Sequence, residues 1–395
     1  MSDALAAGVQ ARVTAADAEF LRALRRDLHA HPELSWQESA TQARLEAALR
    51  ASGVTQIERI ARTGLVARIP GTGKAPPVAV RGDIDALPIT EATGLPFTST
   101  TSGVMHACGH DIHASWAVGV ARLLARTSAA GEVRVILQPA EEVGEGALAV
   151  LESGALDGVA AIFGGHVDRR FAVGQVVADA GAIAASTDTF EITLHGAGAH
   201  GARPQESADP VVGLGALIGA LQTIVARRLD PALPGVVTVG AVRAGDAANV
   251  IPESAMLRGT IRATAPQARA LIVAELQRLA DTIAAAYRLR AEVRLSEGTP
   301  PLVNPARGAA WARSAAIAVC GESNVVPLGT TNMGGEDFAF YLERLDGCFL
   351  RIGAREAGGE PIAAHSPRYA PAEDALLVGT AVLAECARVA SAALA

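Results

Sequence analysis

Apolar residues recur at helical spacing near the start of the chain. Phe20, Leu21, Leu24 and Leu28 follow Thr14 and Asp17, whose three-residue separation is cap-like, so an amphipathic helix is expected there. A second helix is expected over residues 39–50, ended by Gly53, which suits the left-handed position after a helix. The pattern then changes to short β-branched runs at 78–80, 133–137 and 159–163, which read as buried parallel strands, with a helical stretch at 114–126 between the first two. Each run leads into polar residues: Arg81-Gly82-Asp83-Ile84-Asp85, Glu141-Glu142, and Gly164-Gly165-His166. Polar groups thus gather at the carboxyl ends of strands, where open α/β sheets bind ligands.

Near residue 185 the grammar changes. Residues 189–194 alternate apolar and polar positions, the mark of a strand with one wet face, and 236–242, 255–262 and 291–295 also read as strands. Helices are expected at 209–227 and 265–287. The order strand, helix, strand, strand, helix, strand is that of a ferredoxin-like α+β sandwich. Residues 186–296 are therefore expected to form a domain inserted into an α/β domain made of 1–185 and 297–395.

Composition narrows the function classes. The chain has 395 residues, half of them hydrophobic, which is enough for two domains. A net charge of -7 with no basic tract argues against nucleic acid or a membrane surface and leaves small-molecule chemistry as the expectation. No uninterrupted apolar run reaches membrane-spanning length and the first ten residues do not read as a leader, so a cytoplasmic protein is expected. The four cysteines have no paired spacing, and only Cys108 stands in a polar motif. Gly71-Thr72-Gly73-Lys74 imitates part of a phosphate loop, but Arg68 stands where the first glycine belongs and Ala75 follows the lysine, so it reads as a turn before a strand.

The chemistry lies in Met105-His106-Ala107-Cys108-Gly109-His110-Asp111, Glu141-Glu142 and His166. A thiolate, imidazoles and adjacent carboxylates suit a hydrolytic metal centre. Together with Arg26-x-x-His29-x-His31-Pro32-Glu33-Leu34, Arg81-Gly-Asp83-Ile-Asp85-Ala-Leu-Pro88, Gly334-Gly-Glu336-Asp337-Phe338 and His365-Ser-Pro367, these motifs resemble the M20 family of metallopeptidases, in particular its subfamily D of hippurate hydrolases, N-acyl-amino-acid amidohydrolases and indoleacetyl-amino-acid hydrolases. The resemblance runs in order through nearly the whole chain.

It implies a zinc-exopeptidase-like catalytic domain with an inserted lid and dimerisation domain. It also implies two divalent metal ions, manganese or zinc with cobalt or nickel as further choices, held by Cys108, His110, Glu142, His166 and His365. By the same analogy Glu141 is the general base and Asp85 a carboxylate that orients a ligand. In much of the wider family a histidine stands where this chain has Asp83. His200 matches a lid histidine that crosses to the partner subunit's active site in relatives, so a homodimer is expected. Asn249 and Arg262 match positions that hold the substrate's carboxylate, and Gly335 lies in a loop able to approach the ligand. The implied reaction is hydrolysis of an N-acyl amino acid, with deacetylation of an N-acetyl diamino acid or dipeptide cleavage as variants.

Blander readings stand beside these. His29, His31, His106 and His113 read as structural or as supports that hold a ligand in place rather than as ligands, the Gly334-Gly335 pair has a purely conformational explanation, and a Glu-Glu pair by itself is usually solvated. Two other classes remain: a cysteine hydrolase using Cys108 with His110, and a non-catalytic binder of amino-acid conjugates.

Overall fold

A computed structural model describes residues 3–395. The helices along the chain are α1 (Asp3–Gln10), α2 (Ala15–Ala30), α3 (Ser39–Ala51), α4 (His110–Arg126), α5 (Gly146–Glu152), α6 (Pro210–Thr223), α7 (Pro266–Ala286), α8 (Ala306–Cys320), α9 (Ala339–Leu342) and α10 (Asp374–Ala393). The strands are β1 (Gln56–Ile60), β2 (Gly64–Ile69), β3 (Ala75–Asp83), β4 (Gly131–Gln138), β5 (Ala161–Ala172), β6 (Val176–Val177), β7 (Gly181–Ala184), β8 (Asp188–His195), β9 (Ala199–His200), β10 (Gly235–Ala244), β11 (Val250–Ile251), β12 (Ser254–Ala263), β13 (Arg290–Ser296), β14 (Leu302–Asn304) and β15 (Asp346–Arg355).

The chain divides into two units. The first comprises the chain up to Gly181, Asn304–Thr330 and Phe340–Ala395. Its sheet has the order β1-β2-β4-β3-β5-β15-β6, in which β4, β3, β5 and β15 run parallel. The capping box that begins α2 is present, Thr14 and Asp17 each bonding the other's backbone, and Leu21, Leu24 and Leu28 are buried. α4 and α10 pack with each other and against β3 in the same core cluster.

Sequence patterning misplaced three features of this unit. The antiparallel hairpin β1–β2 was not foreseen, because its turn places Ala61 (φ 44°) and Arg62 (φ 62°) in the left-handed region without a glycine or asparagine to signal it. α4 starts at His110 rather than 114, so the Cys-Gly-His motif abuts the first helical turn. β5 continues past 163 to Ala172, which puts His166 inside a strand paired with β15 rather than at a strand end.

The second unit comprises Ala182–Val303 with Thr331–Ala339, so a short segment after residue 330 joins it as well. Its four strands are antiparallel in the order β10-β12-β8-β13, which is second, third, first, fourth along the chain, the ferredoxin-like arrangement. α6 and α7 bury Leu214, Leu217, Leu221, Ile272 and Leu276 against Phe190, Ile192, Leu194, Leu257 and Ile261 of the sheet. The sheet also carries a groove of about 580 Å³ lined by Thr189, Phe190, Ala241, Arg258, Thr260 and Arg294 among others. Its arginines are paired, Arg258 with Glu191 at 2.6 Å and Arg294 with Glu292 at 2.8 Å, so the groove carries little unbalanced charge.

Among the described residues, two helical stretches, Pro210–Arg228 of 19 residues and Asp374–Ala393 of 20, are long and on average apolar enough to cross a membrane, although neither is an uninterrupted apolar run. Isolated Gln, Thr or Glu residues interrupt an apolar run without lowering its mean hydropathy much. The second stretch is 78% buried in the protein and is a core helix; the first buries one leucine-rich face and exposes the other.

Candidate metal centre

Five segments of the first unit meet around Cys108. Gly109, in the left-handed region at φ 92°, turns the chain into α4, and a Cβ there would sit 2.5 Å from Val167 Cγ2. This brings Cys108 and His110 to the helix start. From the end of β3 the chain passes to Asp85, whose Oδ1 and main-chain oxygen lie 3.2 and 2.9 Å from His110 Nδ1. Because a carbonyl oxygen can only accept, Nδ1 is the donor to Asp85, which leaves Nε2 as the His110 nitrogen turned to the other donor atoms.

The other Asp85 oxygen accepts from Ser35 Oγ at 2.7 Å and from the Glu142 amide at 3.0 Å, tying the His110 ring to the Glu141-Glu142 turn. That turn follows Ala140, held at φ 53° despite its Cβ. The buried Glu38 braces it, accepting the Ala140 amide at 2.9 Å and the Thr63 hydroxyl at 2.7 Å. His365, also at positive φ (67°), has its amide bonded to the Ala107 carbonyl at 2.8 Å.

The donor atoms converge. Cys108 Sγ lies 3.1 Å from His166 Nε2, His365 Nε2 lies 3.4 Å from a Glu142 oxygen, and His110 Nε2 lies 3.9 Å from one oxygen each of Glu141 and Glu142. Metal–ligand bonds of about 2.0–2.3 Å put neighbouring ligand atoms roughly 3.5 Å apart, so these spacings suit shared cations. The donors form two trios with Cys108 common to both: Cys108, His110 and His166, and Cys108, Glu142 and His365.

The fit of a metal has independent support. His110 Nε2 and Glu142 Oε1 are buried without a hydrogen-bond partner, although buried polar atoms are almost always satisfied. Asp83, His110 and His113 also lie close together, but both His113 nitrogens are engaged, one with Asp83 at 2.6 Å and one with the Val167 amide at 3.0 Å. That trio lacks a free imidazole at His113.

Electrostatics agree. Burial and then Glu142 push the Cys108 thiol well up, while burial and then His113 hold His166 well below its usual value. Burial opposes a charge on His110, but Asp83 and then Cys108 outweigh it and raise that group. A cation among the donors reverses the bias of the thiol, since a coordinating thiol is deprotonated outright.

Residues 79–389 match the model of peptidase family M20/M25/M40. The chain belongs to peptidase family M20. It is 40% identical over 370 residues to the N-acetylcysteine deacetylase of Bacillus subtilis, a match spanning 92% of this chain and 95% of that protein. It is 36% identical over 376 residues to IAA-amino acid hydrolase ILR1-like 5 of Arabidopsis thaliana, covering 93% and 86%. Among solved structures it is similar to the Bacillus subtilis YXEP protein, described as a dinuclear metal binding peptidase from the M20 family, with a TM-score of 0.84, 37% identity and coverage of 94% and 98%. This M20 chain is thus a metal-dependent hydrolase of amide bonds with a two-metal centre.

The remaining residues singled out from sequence lie in the second unit of this M20 fold. His200, on β9, pairs with Val250 of β11, and its Nδ1 accepts the Ala202 amide at 3.0 Å, which leaves Nε2–H exposed as a donor. Asn249 precedes β11 and its carbonyl accepts the Gly201 amide at 2.8 Å. Arg262 lies on β12, opposite Val236. A Cβ at Gly335 would collide with Thr187 Cγ2, so packing alone accounts for glycine there. Sequence reasoning did not foresee Ser35, Glu38 or Tyr369, whose partners are distant in the chain; His113, read as structural or as a support for a ligand, lies three residues from His110 on one helix.

Proposed function

We propose that this enzyme hydrolyses N-acyl amino acids of the kind handled by subfamily D, releasing a carboxylic acid and a free amino acid. The observation that carries this reading is the pair Glu141-Glu142: adjacent carboxylates, each 3.9 Å from His110 Nε2, in a turn fixed by Glu38 and Asp85. Cys108, His110, Glu142, His166 and His365 would hold the two ions. When bound, such a pair makes water nucleophilic near neutral pH and polarises a carbonyl oxygen.

Glu141 takes a proton from the attacking water and returns it to the leaving nitrogen, while Asp85 keeps His110 in one tautomer. His200, with its exposed Nε2–H, donates to the scissile carbonyl oxygen from the partner subunit. Arg262 and Asn249 receive the amino acid's carboxylate, the guanidinium supplying two parallel donors, and Gly335 lets its loop approach the ligand. The names of the relatives, a deacetylase of N-acetylcysteine and a hydrolase of IAA-amino acids, agree with an N-acyl amino acid substrate.

The homodimer belongs to the same reading. β10 is an edge strand of ten residues with Val236 and Val242 exposed, and the neighbouring α6 exposes Val211 and Val212. An unpaired edge beside an apolar helix face invites a second copy. A cytoplasmic enzyme is the setting in which its free thiols stay reduced.

The test is a panel of N-acyl amino acids, from N-acetyl to benzoyl and indoleacetyl, assayed with manganese and zinc forms. Glu141→Gln is expected to bind two metal equivalents and to lose turnover by at least a thousandfold. An active Glu141→Gln enzyme would refute the base assignment, and an inert panel would refute the substrate class.

A further inference from the structure

Beyond Phe163, β5 loses its neighbour on one side. β3 pairs with it only through Val78, Ala79 and Val80, opposite Ala161, Ile162 and Phe163, whereas β15 stays paired through Asp168. The main chain of residues 164–168 therefore needs other partners on that side. For Val167 they are side chains. Its amide donates to His113 Nε2 at 3.0 Å, and its carbonyl accepts from the Tyr369 hydroxyl at 3.0 Å and from His166 Nδ1 at 2.7 Å.

These contacts determine both imidazole tautomers without reference to pH. A backbone amide can only donate, so His113 Nε2 is the acceptor and Nδ1 carries the proton, which goes to Asp83 at 2.6 Å. Asp83 is in turn gripped by Arg81, and Arg81 Nε donates to Gln138 Oε1 at 2.8 Å. A carbonyl can only accept, so His166 Nδ1 carries its proton and the lone pair sits on Nε2, 3.1 Å from Cys108 Sγ. His113 is wholly buried, stacked on Trp116 at 4.7 Å, and Tyr369 is 1% exposed.

We propose that His113 and Tyr369 are positioning residues that grip the Val167 peptide from both ends and so aim His166 Nε2 into the metal centre. Asp83 works here as the carboxylate that orients His113. The inference rests on the proposed reading of His166 as a ligand. Partners of this kind change metal affinity by about 10–100-fold when removed.

The experiment is calorimetric and spectroscopic titration of full-length apoprotein with cobalt(II), comparing Tyr369→Phe, His113→Ala, His113→Gln and His166→Ala with the parent. Tyr369→Phe deletes one hydroxyl at constant shape, so it reports even where His113→Ala fails to fold. It is expected to weaken one of two cobalt equivalents about tenfold and to shift the d–d bands, with the other equivalent unchanged. His113→Ala is expected to weaken the same equivalent further, and His113→Gln, which keeps a donor and an acceptor, to restore part of it. Parental affinity and band positions in Tyr369→Phe would overturn the clamp, because a merely structural role moves Tm and not the cobalt spectrum. Two tight equivalents in His166→Ala would overturn the ligand assignment itself, and the clamp with it.

Discussion

Glu38 is the clearest place to test how the fold holds its reactive turn. Its buried carboxylate receives two donors, the Ala140 amide at 2.9 Å and the Thr63 hydroxyl at 2.7 Å, and Ala140 sits at φ 53° immediately before Glu141. Glu38→Ala leaves both donors without an acceptor, at about 1–3 kcal/mol each. It also removes the restraint on a left-handed alanine, a conformation costing roughly 1–2 kcal/mol. The expected loss is about 4 kcal/mol if the turn stays in place; relaxation of the turn recovers part of that and displaces Glu141, so kcat falls about tenfold or more.

Glu38→Gln separates acceptor from charge. The amide oxygen can still accept from Ala140 while its NH₂ donates to the Thr63 oxygen, and burial already pushes the Glu38 carboxyl up, so losing the charge also removes a desolvation cost. It is expected to stay within about 1 kcal/mol of the parent. Ala140→Gly relieves the strain but adds freedom to the unfolded chain, leaving a net change of about 1 kcal/mol or less, and it should cushion Glu38→Ala in the double variant. The assays are urea denaturation of metal-loaded protein and steady-state hydrolysis of an N-acyl amino acid. A Glu38→Ala protein with the parental midpoint and kcat would refute this account of the turn.

Three further outcomes follow from the geometry. Gly109→Ala forces a Cβ to 2.5 Å from Val167 Cγ2 at φ 92° and is expected to lose at least about 2 kcal/mol together with metal affinity; parental stability and binding would show that the chain enters α4 differently. For His29, burial opposes the charge, but Asp111 and the Glu91 hydrogen bond raise it from 6.5 to about 9, so its contribution of about 3 kcal/mol is complete below pH 6.5 and fades as pH rises through 9. The stability gap between the parent and His29→Gln should therefore narrow over that window, and a constant gap from pH 6 to 10 would contradict it. Chelation is expected to abolish activity and lower Tm, with zinc or manganese at a hundredfold excess over Kd restoring about 3 kcal/mol per site; full activity in demetallated protein would point instead to Cys108 as a nucleophile.

Local pattern carried much of this protein into view. The capping box at Thr14, the leucine stripe of α2, the wet-faced strands of the second unit and the donor motifs around Cys108 are all encoded within a few residues of chain, so period and spacing reveal them. What needed the tertiary structure were relations between distant segments, where no local period exists. The β1–β2 turn is held at positive φ by the sheet rather than by its own residues, and β5 runs on past 163 because β15 pairs with it. Glu38 matters only because Ala140 arrives beside it, and Tyr369 only because the Val167 carbonyl is left open. Residue type could announce a candidate metal ligand; which nitrogen of His166 is left free was decided by the Val167 carbonyl, which Tyr369 reaches from a segment that no spacing rule connects to it.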